Sequence, residues 1–312
     1  MNVFPYSSDN KRYHTLNYYN KSRYKSRVMK AVIDAGFTCP NADGTKGVGG
    51  CIYCREGSGY FTGRYSDNIY EDVKNQLQAE KKRIYEKYPD CQIIAYFQAN
   101  TNTYAPLPIL EKAYSAALDC SVAGISIGTR ADCLSKEVIE LLKSVAEKTD
   151  LTVELGLQTI HDKTAKLINR CYSYEEFLEG YHRLKSAGIR TCLHIINGLP
   201  GEGYDDMLST AREVGRLSPK AVKIHLLHIN KGTALEKMYL EGKYTPMEKE
   251  DYINIVTDQL LYIPPETVIE RLTGDGDRRY LVAPLWSRDK ISVLGGIDKR
   301  MAEKDIWQGK AL

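Results

Sequence analysis

The chain has 312 residues, of which 43% are hydrophobic and 27% charged, and its formal net charge is +3. This length and composition allow a sizeable folded core, whereas no apolar run reaches the roughly 18 residues of a membrane span and the N-terminus lacks a signal-peptide core. We therefore expect a cytoplasmic enzyme without a membrane partner, whose eight cysteines are reduced thiols or ligands and not disulfides.

Residues 1–28 are predicted to form a basic, tyrosine-rich arm. Between residues 10 and 33 the chain has seven lysines and arginines and no acidic residue, with four tyrosines interleaved. Lysine and arginine neutralise phosphates, and aromatic rings stack on the bases of looped RNA. The alternative is a solvated basic segment whose tyrosines pack on the domain surface. The candidate RNA contacts in the arm are Lys21, Arg23, Lys25 and Arg27.

The body of the chain repeats a strand-then-helix unit. Polar-patterned segments typical of helices, such as 135–149, 174–187 and 204–217, alternate with apolar, β-branched segments typical of strands. The predicted strands are 29–35, 92–98, 124–128, 152–156, 191–195 and 221–226. Most of the intervals approach the ~30 residues of a βαβ unit. The pattern predicts an α/β fold over residues 29–230, a partial (β/α)6 TIM-like barrel with its active site at the C-terminal ends of the strands; an open doubly wound sheet is the alternative.

Three cysteines follow the first predicted strand directly. Cys39, Cys51 and Cys54 lie in FTCPNADGTKGVGGCIYC, with the spacing C-x11-C-x2-C. A structural zinc ion takes four Cys or His ligands, and [4Fe–4S] clusters in electron carriers take four cysteines. Three thiolates leave one iron of such a cluster open, so the spacing indicates a catalytic cluster at the mouth of the barrel. A zinc site completed by a distant histidine is the alternative.

Polar side chains also interrupt the later strands. Burying Glu154 of VELGLQT is costly without a partner, so we expect it to bind a ligand such as a ribose hydroxyl; the alternative is a buried ion pair with His194 or Lys223. Because side chains alternate along a strand, Lys223 and His225 share one face of the sixth strand, which we expect to be the interior. The candidate catalytic residues are Lys223, His225 and His228. Gln158 and Asn197 are further candidates for cofactor contact.

The cysteine loop, VELGLQTIHD and INGLPGE together resemble the radical S-adenosylmethionine (SAM) superfamily, in its elongator-like bacterial subfamily, over residues 25–230. The resemblance implies that the three cysteines bind a [4Fe–4S] cluster whose open iron chelates SAM. An external one-electron donor then drives SAM cleavage to a 5′-deoxyadenosyl radical.

The resemblance also implies contacts to SAM at the ends of the second and third strands. AYFQANTNTYAP stands where the family binds the methionine amine, although it lacks the usual glycines and carboxylate. Its candidates are Gln98, Asn100 and Thr103. After the third strand, Gly128 and Arg130 are placed to reach the SAM carboxylate or ribose, because arginine pairs with a carboxylate through two parallel hydrogen bonds.

Residues 231–312 are predicted to form an α/β extension that closes the barrel. A charged turn that includes Asp275 and Asp277 carries Arg278 and Arg279, which are candidates for contact with a phosphate-bearing substrate. Nothing in this extension resembles an acetyltransferase domain.

The expected substrate is the anticodon loop of a tRNA. The resemblance implies conversion of 5-carboxymethylaminomethyluridine at wobble position 34 to 5-aminomethyluridine, after the base has been unstacked. Two alternatives remain at this point. One is a radical SAM enzyme that acts on a small metabolite or a porphyrin, and the other is a non-catalytic RNA-binding protein with a structural metal.

Overall fold

The computed structural model describes residues 4–55, 66–274 and 276–312. Its strands are β1 Val28–Ile33, β2 Gln92–Phe97, β3 Gly124–Thr129, β4 Asp150–Gln158, β5 Arg190–Asn197, β6 Ala221–Leu226, β7 Ile229–Asn230, β8 Val268–Arg271 and β9 Leu281–Ala283. Its helices are α1 Leu16–Tyr24, α2 Ile69–Tyr85, α3 Leu107–Asp119, α4 Lys136–Ala146, α5 Asp162–Leu167, α6 Tyr174–Ser186, α7 Tyr204–Leu217, α8 Ala234–Leu240, α9 Lys249–Leu260 and α10 Lys290–Glu303.

Within these ranges, seven parallel strands form one curled sheet in the order β1-β2-β3-β4-β5-β6-β8. The predicted partial barrel is therefore confirmed, and all six predicted strands belong to it. The seventh strand, β8, comes from the extension and pairs with β6, as Val222 opposite Ile269 shows. Covering β6 in this way removes a hydrogen-bonding edge from solvent. The predicted boundary at residue 230 thus does not separate the sheet from the extension.

Helices cover the outer face of the sheet because their apolar side chains recur on one side. In α4, Val138, Ile139 and Leu142 are buried, and Ser135 caps the helix by accepting from the Val138 amide. The strands alternate in the same way, so Val153 and Leu155 of β4 pack outward against the helices. The polar residues between them, among them Glu154, therefore face the interior of the barrel.

The N-terminal segment packs across the opposite end of the barrel from the cysteines. Thr15 bridges to Ile269 beside α1, and Arg23 of α1 donates to Asp150, the first residue of β4, at 2.6 and 3.1 Å. Tyr13 is buried, and the Arg27 guanidinium lies 4.4 Å from the ring centroid of Tyr88. These contacts correct the prediction of a separate arm: the segment is part of the barrel floor, and its tyrosines pack on protein.

A small second layer sits at the C-terminal end of the barrel. Strands β7 and β9 pair antiparallel, and together with α8 they enclose an apolar cluster that contains Leu199, Ile229 and Leu235. Ile52 and Tyr53, between two of the cysteines, pack against this cluster. The extension therefore supports the cysteine loop directly. In the described part of the chain, no helix has the length and apolar character that crossing a membrane requires.

Candidate functional site

The three cysteines lie together on the loop that follows β1. Cys51 and Cys54 form a turn in which the Cys54 amide donates to the Cys51 carbonyl at 2.9 Å, and all three thiols are free. A hydrogen bond from Cys54 lowers the pKa of Cys51 to about 7. The same bond to Cys51, together with burial and the nearby Cys39, raises the pKa of Cys54. Since metals bind thiolates, Cys51 is prepared for ligation near neutral pH.

Backbone hydrogen bonds hold this turn from two sides. The Ile52 amide donates to the Ile168 carbonyl at 3.1 Å, and the Ile52 carbonyl accepts from the Leu235 amide at 2.9 Å. The first bond ties the turn to the segment after α5, and the second ties it to α8. The position of the thiols is therefore set by both the barrel and the extension.

An asparagine of the cysteine loop contacts a thiol directly. Asn41 Nδ2 donates to Cys51 Sγ at 3.6 Å and to the Asn169 carbonyl, while Asn169 Nδ2 donates to the Gly50 carbonyl at 2.7 Å. A Cβ atom at Gly47 would lie 2.7 Å from Cys171 Sγ and closer still to Asn41 Oδ1, so a larger residue there has to displace these side chains. No periodicity in the sequence marks Asn41 or Asn169, because their importance comes from loop-to-loop contact.

Arg130 is engaged by protein groups at the edge of the site. Its Nε and Nη2 donate to the Asp132 carboxylate at 2.9 and 2.8 Å, and its Nη1 donates to the Arg170 carbonyl at 3.0 Å. The Tyr172 ring lies near both arginines, 4.6 Å from the Arg130 guanidinium and 4.4 Å from that of Arg170. The two parallel bonds expected with the SAM carboxylate are therefore made with Asp132 instead, and contact of Arg130 with SAM stays a prediction.

Arg170 was not a sequence candidate, yet it is 1% exposed. Its guanidinium donates to the carbonyls of Leu157, Thr159 and Tyr172 at 2.5 to 3.1 Å. It thereby ties the end of β4 to the segment after α5, which in turn holds the cysteine loop.

A buried ion network fills the barrel interior at Glu154. The carboxylate accepts hydrogen bonds from Lys30 at 2.7 Å, Ser126 at 2.7 Å, Tyr96 at 2.8 Å, His194 at 2.9 Å, and Lys223. Burial alone would raise the pKa of Glu154, but the Lys223 and Lys30 ammonium groups hold this pKa well below its usual range. This corrects the expected ribose contact: the structure shows the ion-pair alternative, extended to five protein donors.

Lys223 and His225 of β6 both lie in the interior. Lys223 pairs with Glu154, and the His225 ring lies 5.1 Å from the ring of His194. Burial, followed by the neighbouring His194, Arg271 and Lys223, lowers the pKa of His225 well below its usual value, so its imidazole is neutral. His225 Nε2 is buried and has no hydrogen-bond partner among the residues that the structure describes. Gly274 packs on His228, where a Cβ would lie 3.1 Å from Cε1. Catalytic roles for the three residues stay predictions.

The candidates after β2 and β3 make local contacts. Gln98 is half-buried at the end of β2, and Asn100 Nδ2 donates to the Phe37 carbonyl at 2.8 Å. Thr103 Oγ1 donates to the Cys133 carbonyl at 2.7 Å and lines a cavity of about 690 Å³ beside the cysteine loop. The Gly128 carbonyl accepts from the Asn102 side chain at 2.9 Å. Their contacts with SAM stay predictions.

Gln158 and Asn197 lie at the ends of β4 and β5. Gln158 has a φ of 60°, and its side-chain amide donates to the Gly156 and Leu157 carbonyls at 2.6 and 3.0 Å, at the mouth of the barrel. Asn197 points the other way, because side chains alternate and His194, three residues earlier, faces inward. Its amide exchanges hydrogen bonds with Gln259 of α9 at 2.9 and 2.8 Å. The expected cofactor contact of Asn197 is therefore corrected to a contact between the sheet and the helix layer.

The six candidate RNA contacts divide between the two ends of the barrel. Lys21 and Lys25 are exposed at the floor, beside Arg23 and Arg27. Arg278 and Arg279 are exposed at the cysteine end. Asp275, predicted in the same turn, lies outside the described residues.

The site fits an iron–sulfur cluster. In the part of the chain that is described, no three His, Cys, Asp or Glu side chains form a group that could hold a single metal ion. A [4Fe–4S] cluster binds each cysteine to a different iron, so its ligand thiols do not converge on one ion. Cys39, Cys51 and Cys54 meet the other requirements: they are free thiols on one loop, with an amide donor at one sulfur.

Comparison with known proteins gives one family over most of the chain. "Radical SAM superfamily" matches residues 44–214, and "Radical_SAM C-terminal domain" matches residues 219–303. The chain is 46% identical over 99% of its length to the protein YtqA of Bacillus subtilis (strain 168), and the match covers 95% of that protein.

Two further matches concern elongator-like proteins. The chain is 28% identical over 155 residues to a tRNA uridine(34) acetyltransferase of Methanocaldococcus infernus, which is 48% of this chain and 28% of that protein. The solved structure of archaeal Methanocaldococcus infernus Elp3 with an N-terminal deletion has a TM-score of 0.67 and 18% identity, covering 91% of this chain and 64% of that chain, and shares its fold. The chain therefore belongs to the radical SAM superfamily, and its cofactors are a [4Fe–4S] cluster and SAM.

Proposed function

We propose that this radical SAM enzyme acts in the cytoplasm on tRNA, converting 5-carboxymethylaminomethyluridine at wobble position 34 to 5-aminomethyluridine. The observation that carries the proposal is the match to a protein named for uridine 34 of tRNA, over 48% of this chain. Residues 219–303 match "Radical_SAM C-terminal domain", and the reaction that we propose is not acetyl transfer.

Residues of the cysteine loop would hold the cofactors. Cys39, Cys51 and Cys54 would ligate the cluster, and an external donor would supply the electron. When bound, the cluster and SAM supply a 5′-deoxyadenosyl radical that can attack an unactivated C–H bond. The chain itself orients Cys51 through Asn41 and offers the neutral imidazole of His225, in the barrel interior, as a hydrogen-bond partner.

The proposed reaction removes two carbons from a nitrogen atom. The attacked hydrogen is on the CH2 group between that nitrogen and the carboxylate. One SAM and one water are consumed for each uridine, and the products are 5-aminomethyluridine, glyoxylate, methionine, 5′-deoxyadenosine and a proton. SAM is the net two-electron oxidant, because the electron that starts its cleavage returns when the substrate radical is oxidised.

Two measurements test the proposed function. Mass spectrometry of tRNA nucleosides should show 5-carboxymethylaminomethyluridine accumulating, and 5-aminomethyluridine falling, in cells that lack the protein. The purified, reconstituted enzyme should release glyoxylate and 5′-deoxyadenosine in equal amounts from tRNA that carries the substrate base. Unchanged nucleosides in cells, together with no glyoxylate from the pure enzyme, would refute the proposed substrate.

Replacing Asn41 with alanine is expected to lower the midpoint potential of the cluster. The amide hydrogen bond to Cys51 Sγ stabilises negative charge on that sulfur, and the reduced cluster carries more of it. A tenfold shift of the reduction equilibrium corresponds to about 59 mV for one electron. The check is a potentiometric titration followed by electron paramagnetic resonance.

The matched control is Asn169→Ala, which removes the bond to the Gly50 carbonyl but leaves the donor to Cys51 in place. Equal potentials in wild type and Asn41→Ala, with full iron content, would show that the bond has no electronic effect.

A further inference from the structure

An arginine and a tyrosine stack at the rim of the barrel, next to the last cysteine. Arg55 follows Cys54 directly, and its guanidinium lies 3.6 Å from the centroid of the Tyr280 ring. The Arg279 guanidinium lies 5.4 Å from the same centroid. We call Arg55, Tyr280 and Arg279 the rim stack. It joins the cysteine loop to the extension, two parts of the chain that are more than 200 residues apart.

Backbone bonds hold the rim stack in place. The Tyr280 carbonyl accepts from the Lys231 amide at 2.9 Å, and the Tyr280 amide donates to the Asp277 carbonyl at 2.9 Å. Leu281 then begins β9, which pairs with β7. The Asp277 carboxylate accepts from Arg279 Nη2 at 2.7 Å, so one arginine of the stack is oriented by a neighbouring acid. The ring is thus presented by ordered backbone on the same side of the barrel as the cysteines.

The rim around the stack is basic and open to solvent. Arg278 and Lys231 are exposed, and the Arg279 side chain is 66% exposed. Among the described residues, three arginines and this lysine stand against Asp277 and Glu236, which leaves an excess of positive charge. Positive charge attracts phosphates, whereas the planes of tyrosine and arginine are surfaces on which bases stack.

We propose that the rim stack binds a nucleobase of a looped RNA substrate, with the surrounding cations on its phosphates. This proposal rests on the proposed function and names the place where that substrate docks. When one base is stacked on Tyr280, the adjacent nucleotide of the RNA lies at the mouth of the barrel beside Cys54, where the radical is made. The site takes single-stranded RNA, because a paired and stacked base does not expose its faces.

The floor of the barrel is a poorer place for the same contact. Its exposed cations Lys21 and Lys25 lie beyond the N-terminal ends of the strands. A strand of six residues is about 20 Å long, at about 3.3 Å for each residue, so RNA bound there is at least this far from the mouth. Arg23 is paired with Asp150, and Arg27 lies on Tyr88. The tyrosines Tyr13 and Tyr24 are packed into the protein as well, and burial raises the pKa of both.

The test is binding of a 17-nucleotide anticodon stem-loop RNA to the reconstituted enzyme, measured by fluorescence anisotropy. Tyr280→Leu and Arg55→Ala should each weaken binding by about fivefold or more, since loss of one stacked base corresponds to about fivefold to 150-fold. Tyr280→Phe keeps the ring and should bind as wild type does, and Arg55→Lys, which keeps the charge but not the plane, should bind less well than wild type. Iron content and thermal unfolding establish that each variant is folded.

The control for RNA binding at the floor of the barrel is the double variant Lys21→Gln and Lys25→Gln. Wild-type affinity in Tyr280→Leu, or an equal loss in Tyr280→Phe and Tyr280→Leu, overturns the rim stack as a base-binding site. A larger loss in the Lys21 and Lys25 variant than in the rim variants also overturns it, because RNA then binds the floor. A wild-type enzyme that binds no RNA refutes the proposed function itself, and the two failures are therefore distinct.

Discussion

Replacing Cys51 with alanine is expected to abolish cluster binding, SAM cleavage and nucleoside conversion together. Cys51 is one of three candidate ligands, and its pKa is lowered to about 7, so its thiolate is available to bind iron near neutral pH. Two remaining thiolates do not bind the cluster stably, and without the cluster no radical forms. Iron and sulfide content after anaerobic reconstitution, 5′-deoxyadenosine release and nucleoside analysis check the three losses.

Cys120→Ala is the matched control, because Cys120 follows α3, outside the cysteine loop, and has no C-x2-C neighbour. It should keep the iron content of the wild type. Nucleoside conversion by Cys51→Ala at the wild-type rate would refute the assignment of the cysteine loop as the cluster site.

Replacing Glu154 with glutamine is expected to lower the free energy of unfolding by about 3–5 kcal/mol, because removing one partner of a buried ion pair leaves uncompensated charge. Glutamine keeps the shape but removes the charge that faces Lys30 and Lys223, and Lys223 is 5% exposed. Glu270 remains near both lysines, at 3.4 and 3.9 Å, and compensates them in part. Urea unfolding of the reconstituted protein under anaerobic conditions measures the loss.

Glu140→Gln is the control, since Glu140 is exposed on α4 and pairs only with Lys143 there. Exposed pairs contribute about 0–1 kcal/mol. A loss in Glu154→Gln no larger than in Glu140→Gln would contradict the network's role in stability.

The same carboxylate predicts how stability depends on pH. The pKa of Glu154 is lower in the folded protein than its ordinary value of 4.5, so the folded state binds fewer protons at this group than the unfolded state does. Its contribution is therefore present above pH 4.5 and is lost as the pH falls from 4.5 through the folded pKa. The difference in stability between wild type and Glu154→Gln should be constant between pH 6 and 8 and should shrink below pH 4.5. A difference that grows toward acid would reverse this assignment.

The fold was predictable because its signals are local. Apolar runs at regular intervals, with glycine and capping residues between them, are sufficient for a parallel barrel, and Ser135 caps α4 as such a pattern requires. A strand is predictable in ETVIERLTGDGDRRYLVAPLW, where β8 lies, but its pairing with β6 is not, because β6 is more than 40 residues away in sequence.

The site was predictable only in part. The three cysteines are recognisable from their residue type and spacing. The alternation of side chains along β6 predicts that Lys223 and His225 share one face. Alternation along a strand shows which side chains share a face, but it does not show which face points into the barrel. For this reason the sequence suggests Asn197 as a site residue, although its side chain contacts Gln259. Glu154 and Arg130 are residue types that often bind ligands. In the folded chain, however, Glu154 pairs with Lys30 and Arg130 pairs with Asp132.

By itself, the sequence determined the family, the α/β barrel and the three thiolates, since each depends on residues close together in the chain. Only the tertiary structure decided what surrounds those thiolates. It placed Asn41 on Cys51, moved the basic N-terminal segment to the far end of the barrel, and brought Tyr280 onto Arg55. The first is a contact within one loop and the other two join distant segments, but all three depend on packing and charge pairing in the folded chain, which no local pattern encodes.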